Sequence, residues 1–260
     1  MPQKLPAVLI DFDGIVRIGD KPAGDASEFL KFIEGSGIPA IILSNSSLKN
    51  GKDIIKFLKD NFIHTSIPAI TTVDAAYNLV KEKYKRVSVY CIDPVKNLFK
   101  KFIDDKNPEA VIIGDLGDRW NYEILNDIFL KVFNGSDLIA MHKNKFWKPD
   151  GKNLSLDAGA FVSAIEYSAS KEALVIGKPS KIYFKTALEQ LGVNEGEQFF
   201  MIGDDIENDI YPVQDIGGKG ILVYTGKTKF PLGKLVKKPD FECADLMEAI
   251  SVLQTNKKTI

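Results

Sequence analysis

An α/β fold with a mostly parallel sheet is predicted by three observations on this 260-residue chain. Short apolar runs alternate with longer stretches that carry apolar residues at helical spacing, the pattern of βαβ units. The runs are continuously apolar, as strands covered on both faces must be. Several of them then stop abruptly at charged or hydroxyl residues, namely Asp11, Ser44, Lys178 and Asp204. In open α/β sheets such strand ends are where ligands bind.

The elements follow in order. Ala7-Val8-Leu9-Ile10 is the first strand and runs directly into Asp11-Phe12-Asp13-Gly14, where glycine permits a turn. Residues 24–35 carry Phe29, Leu30, Phe32 and Ile33 at helical spacing, and Gly37 closes that helix. Pro39-Ala40-Ile41-Ile42-Leu43 is the second strand, ending in Ser44-Asn45-Ser46-Ser47, and Ile54, Ile55 and Leu58 mark the next helix. A second block starts near Thr72, with strands at Val87-Ser88-Val89-Tyr90, Ala110-Val111-Ile112-Ile113 and Leu138-Ile139-Ala140-Met141. Helical patterns cover residues 122–133 and 159–167, with a polar turn at Lys148-Pro149-Asp150-Gly151 between them. The first pattern then returns. Ala173-Leu174-Val175-Ile176-Gly177 reads as a strand before Lys178-Pro179-Ser180 and a helix to Leu191. Phe199-Phe200-Met201-Ile202-Gly203 precedes Asp204-Asp205, Gly220-Ile221-Leu222-Val223-Tyr224 is a further strand, and a charged tail carries Lys257-Lys258.

Composition narrows the function classes. Hydrophobic content of 45% and charged content of 27% are those of an ordinary globule. The net charge of -1, from 34 basic and 35 acidic residues, points to neither nucleic acid nor an anionic membrane as partner. Cys91 and Cys243 form no metal-like cluster or disulfide scaffold, and the isolated His64 and His142 read as structural. The apolar run at residues 5–10 is too short for a signal peptide or a membrane span. A soluble, cytoplasmic protein is the expectation, with a homodimer left open.

Asp11 and Asp13 carry the chemical reading. A calcium loop starting at Asp11 would need Gly at its sixth position and Glu at its twelfth; those positions hold Val16 and Pro22. Taken singly, Ser44 reads as a helix cap, Lys178 as a solvated lysine, and Asp204 or Asp205 as a cap. If the four strands share one sheet, however, parallel topology gathers all four groups on its carboxyl edge. Two carboxylates ~4 Å apart repel by roughly 1 kcal/mol in water and about 4 kcal/mol at an effective dielectric of 20. One lysine does not offset that. An all-oxygen, acidic site without His or Cys favours Mg²⁺, which binds phosphate oxygens. The implied substrate is a small phosphate ester or anhydride. Asp11 would attack phosphorus, while Asp13 would protonate the leaving oxygen and then activate water. Lys178 would neutralise the transferring group, Ser44 would bind a non-bridging oxygen, Asp204 would hold the metal, and Asp205 or Asp209 would support it.

These residues resemble the haloacid dehalogenase superfamily of phosphohydrolases. DFDG at 11–14, Ser44-Asn45, GKP at 177–179 and GDDIEND at 203–209 match its four motifs in order. LSNSS at 43–47, VIGKP at 175–179, MIGDDIENDI at 201–210 and VYTGK at 223–227 are similar to the NagD/4-nitrophenylphosphatase type, subclass IIA. Within it, the resemblance is closest to phospholysine/phosphohistidine/pyrophosphate phosphatases. It implies a doubly wound, Rossmann-like core at residues 1–72 and 172–260, with an inserted α/β cap at 73–171. It further implies a metal held by Asp11, the main-chain carbonyl of Asp13, and Asp204, with phosphate meeting Ser44, Asn45 and Lys178. Asp115, Asp118, Trp120, Lys143 and Trp147 are cap candidates for substrate contact, weighed against plain packing. Ile15 stands where many members carry Thr, and Asp13 where some pyrophosphate-cleaving relatives carry Ser. The Asp favours phosphomonoesters over phosphoamidates or pyrophosphate.

Two rivals are weighed against this reading. A phosphoacceptor signalling module also combines acidic residues, Ser/Thr and Lys in an α/β fold. It needs about half this length, and its acidic pair precedes its phosphoacceptor, whereas here a second acidic cluster lies downstream at Asp204. A silent binding protein would have no use for the full set of charged groups.

Overall fold

The computed structural model describes residues 5–147, 153–233 and 237–257. The chain divides into two compact units, one over 1–44, 51–70 and 178–260, the other over 45–50 and 71–177. The expected turn at Lys148-Pro149-Asp150-Gly151 and Lys258 lie outside the described residues.

The first unit is built on six strands in the order Phe241–Cys243, Lys219–Val223, Phe199–Gly203, Ala7–Asp11, Ala40–Ser44, Ala69–Thr71. The pairings among the first five are parallel. Ala7–Asp11 is central and every residue in it is buried. Side chains alternate along it. Val8 and Ile10 enter a core with Phe29, Leu30 and Ile33 of helix Ala26–Gly35, Ile54 and Leu58 of helix Gly51–Asp60, and Leu246, Ile250 and Leu253 of helix Leu246–Lys257. Leu9 and Asp11 therefore face the other way. The last helix is also tied to Asp25, whose Oδ2 accepts from the Leu246 N–H at 2.9 Å.

The second unit holds four parallel strands in the order Leu174–Val175, Asp137–Ala140, Ala110–Ile113, Val87–Tyr90. Both faces are covered. Ala110 and Ile112 pack with Val73, Ala76 and Val80 of helix Thr72–Lys83. Val111 and Ile113 pack with Ile128 and Val132 of helix Tyr122–Phe133 and with Val162 and Ile165 of helix Ala158–Ala169. That two-sided burial is why these strands read as unbroken apolar runs. The helix starts are capped by Thr71, in a box with Asp74, and by Asn121 and Asp157. Among the described residues no helix is long and apolar enough to cross a membrane.

One expectation is corrected. The run 173–177 is not a strand of the first sheet; its ordered part, Leu174–Val175, pairs with Ile139 and Ala140 in the second. Lys178 consequently reaches the first unit from a loop ahead of helix Lys181–Gln190 rather than from a strand end. An apolar run shows that a strand is buried, but its hydrogen-bonding partner is chosen by chain geometry. Among the described residues, short elements such as Ala69–Thr71, Phe241–Cys243 and a hairpin pairing Arg17–Ile18 with Lys21–Pro22 also lack a run to announce them. Lys257 of the charged tail belongs to the final helix.

Tyr183, fully buried, ties helix Lys181–Gln190 to the carboxyl edge: its hydroxyl contacts the carbonyls of Ser44 and Ile70, each at 3.0 Å. Tyr183→Phe removes the one hydroxyl proton that these two carbonyls share and is expected to cost about 1–3 kcal/mol in urea unfolding, with unchanged secondary structure by circular dichroism. An unshifted midpoint would show that the hydroxyl holds nothing.

Candidate active site

Three adjacent strands deliver the first groups. Phe199–Gly203, Ala7–Asp11 and Ala40–Ser44 run side by side and parallel, so Asp204, Asp11 and Ser44 emerge at neighbouring carboxyl ends. The loop before helix Lys181–Gln190 adds Lys178, and a π-helical turn, Ile206–Ile210, adds Asp209. Lys178 Nζ lies 2.5 Å from Asp11 Oδ1 and 2.7 Å from Asp209 Oδ1. Asp11, Asp204 and Asp209 each offer an oxygen within 4.8 Å of the others. All four residues are buried, none exposed beyond 4%.

Burial dominates the electrostatics. It lifts Asp11 to about 7 against the pull of Lys178, with Asp204 adding repulsion. Burial and then Asp209 raise Asp204 to about 6, and burial and then Asp11 raise Asp209 to about 7. Burial works against the Lys178 charge, yet Asp11 and Asp209 hold its affinity for a proton above the ordinary lysine value. One cation among three acids leaves the cluster short of positive charge. Asp204 Oδ1 is buried with no hydrogen-bond partner, while its Oδ2 accepts from the Lys227 N–H at 2.5 Å. A buried, unpaired carboxylate oxygen beside two other carboxylates is the donor set of a hard divalent cation. Mg²⁺ fits it better than a metal preferring nitrogen or sulfur ligands.

Backbone closeness makes room for Asp204. A Cβ on Gly14, whose φ is +95°, would fall 2.3 Å from Asp204 Oδ2, and one on Gly226 would fall 1.7 Å away. Thr225 Oγ1 donates to the Gly14 carbonyl at 2.5 Å and locks the two loops together. Asp205 does something else. It caps the turn, accepting from the Glu207 and Asn208 amides at 3.1 Å each, and pairs with Lys227 at 2.9 Å. Burial would raise its carboxyl, but Lys227 holds it below the usual range.

Asp13 stands apart from the acid cluster. Its Oδ1 accepts from Arg17 Nε at 2.7 Å and from Arg17 Nη2, and its Oδ2 accepts from Ser44 Oγ at 3.1 Å. Asn45 opens the second unit, where its side chain lies within 2.8 Å of where a Gly177 Cβ would be. Of the other candidates in that unit, Trp120 stacks on Phe161 at 4.3 Å and Lys143 pairs with Glu166 at 2.6 Å. Asp115 accepts from the Gly117 amide. Asp118 is exposed, and Trp147 is 39% exposed on a two-stranded ribbon.

Sequence reasoning alone misses Arg17, Tyr183 and Thr225, and gives Asp209 only a supporting place. Arg17 sits four residues after Asp13, a spacing that signals nothing until the loop is known to fold back. Lys227 lies in the VYTGK segment, but only the fold shows its amide on Asp204 and its ammonium on Asp205.

Comparisons with known proteins identify the chain's relatives. Residues 8–102 match a haloacid dehalogenase-like hydrolase family model, and residues 175–249 match a second hydrolase model of the same kind. Haloacid dehalogenase-like hydrolase domain-containing protein 2 of Bos taurus is 37% identical over 225 residues, 86% of this chain and 85% of that protein. Phospholysine phosphohistidine inorganic pyrophosphate phosphatase of Bos taurus is 32% identical, covering 85% and 83%. The crystal structure of 4-nitrophenylphosphatase from Thermotoga maritima superposes with a TM-score of 0.86 at 24% identity, covering 96% of this chain and 98% of that one, which establishes a shared fold.

Because Asp11, Asp204 and Asp209 bind protons more tightly when folded than carboxyls do near pH 4, the cluster's contribution to stability declines as pH rises from about 4 through 7. A cation competes with those protons. The rise in melting temperature produced by millimolar Mg²⁺ is therefore expected to be larger at pH 8 than at pH 5, and to shrink in Asp204→Asn. A gain equal at both pH values, or intact in the variant, would rule out this cluster as the binding site.

Proposed function

Because this chain belongs to the haloacid dehalogenase-like hydrolase family and is a phosphohydrolase, we propose that it is a Mg²⁺-dependent phosphatase of small phosphomonoesters working through an aspartyl-phosphate on Asp11. One observation carries the reading: Asp11 is buried at a strand end, ion-paired at 2.5 Å to Lys178, and beside two further carboxylates.

A carboxylate oxygen of Asp11 forms the bond to phosphorus as the ester P–O bond breaks. Asp13 gives the departing oxygen its proton, then takes one from the water that hydrolyses the intermediate. Lys178 offsets charge on the transferring group, held in place by Asp11 and Asp209. Ser44 and Asn45 bind non-bridging oxygens. Asp11, Asp204 and the main-chain carbonyl of Asp13 hold the cation, with Asp205 fixing the turn that carries Asp209. Bound Mg²⁺ would supply the missing positive charge and polarise a phosphate oxygen. The inserted segment at residues 73–171 serves as the domain that selects the leaving group.

A second reading, cleavage of pyrophosphate or phosphoamidates, is favoured by the 32% identity to a protein bearing those substrates in its name. Asp13 argues for phosphomonoesters.

The protein is expected to hydrolyse 4-nitrophenyl phosphate, to stop on adding EDTA, to resume with excess Mg²⁺, and to lose turnover in Asp11→Asn. Full activity in that variant would refute the nucleophile. A panel of phosphomonoesters, pyrophosphate and phosphoamidates decides between the two substrate readings, and a stable phosphoprotein without turnover would instead indicate a phosphoacceptor module.

A further inference from the structure

Resting on the phosphatase reading, we propose that Arg17 is a positioning residue that fixes which oxygen of Asp13 delivers the proton to the leaving group. The loop after the first strand folds back on itself: the Arg17 N–H donates to the Phe12 carbonyl at 2.8 Å, and the Gly14 N–H donates to the Arg17 carbonyl at 2.7 Å. The Arg17 side chain thereby returns beside Asp13. Its guanidinium lies 5.2 Å from the centroid of the Phe12 ring and 5.9 Å from that of Phe57, which sit edge to face 5.7 Å apart. Two of its nitrogens then grip Asp13 Oδ1.

A guanidinium only donates hydrogen bonds, so the oxygen it grips stays an acceptor. A proton that Asp13 takes up therefore goes to Oδ2, the oxygen that meets Ser44 Oγ at 3.1 Å. Ser44 marks the phosphate, so Oδ2 is the oxygen facing the reaction. In the step itself, Asp11 bonds to phosphorus, the ester P–O bond breaks, and the Oδ2 proton moves to the released oxygen, leaving Asp13 as carboxylate. When phosphate takes the Ser44 hydroxyl, Arg17 is the contact that keeps Asp13 from rotating.

The test exploits leaving groups. An alkoxide needs a proton to leave, whereas 4-nitrophenolate hardly does, and kcat/KM covers only the steps through leaving-group departure. In Arg17→Met, which keeps the aliphatic stem over Phe12 and Phe57, kcat/KM for an alkyl phosphate is expected to fall about 10-fold or more, within the range of a well-placed general acid. For 4-nitrophenyl phosphate it should fall less than about 3-fold. Arg17→Lys, able to make one contact but not the fork, should be intermediate. Equal losses for both esters would mean a binding or structural role, and no loss would mean no role; either overturns the proposal. Hydrolysis of both esters by the wild type tests the phosphatase reading separately.

Discussion

Everything at the carboxyl edge depends on one buried ion arrangement: Lys178 between Asp11 and Asp209, with Asp204 beside them. Removing such charges from water is costly, and a lysine alone cannot repay it for three acids. The surrounding structure is organised to hold them together. Parallel strands bring Asp11 and Asp204 to adjacent ends, Gly14 and Gly226 clear the space around Asp204, and Asp205 caps the turn that presents Asp209. A site kept short of positive charge suits a cation.

The same strand separates the two acids of the DFDG loop. Asp11 is its last residue and points with Leu9 away from the helices that cover Val8 and Ile10. Asp13 lies past the strand, where the chain has begun to turn, and its side chain is 43% exposed. One acid is thus desolvated among charges and the other is half in solvent with Arg17. Those surroundings suit the roles proposed for them, a nucleophile that must stay put and a proton carrier that must meet a leaving group. Two residues of chain produce two chemical environments.

Much of this is legible in the residues. The apolar runs at 7–10, 40–43, 87–90, 110–113 and 199–203 become strands because burial on both faces demands such runs, and Tyr122–Phe133 is a helix because its apolar residues recur at helical spacing. The run at 173–177 is the instructive departure. Its pattern is that of a buried strand, but pattern carries no information on partner, and Leu174–Val175 completes the second sheet. Arg17 was illegible for a similar reason: its contact with Asp13 arises from a loop that closes through backbone hydrogen bonds, to which side-chain type contributes little.

By itself the sequence determined the fold class and marked Asp11, Asp204 and Lys178 as candidates for one site, because periodicity and the placing of charge after apolar runs are local properties that neighbouring residues impose. Only the tertiary structure decided which sheet each strand joins, that Asp209 shares Lys178 with Asp11 while Asp205 serves as a cap, and that Arg17 grips Asp13. Those outcomes depend on distances between residues far apart in the chain or across a turn, which are set when the core closes and all its hydrogen bonds must be met at once.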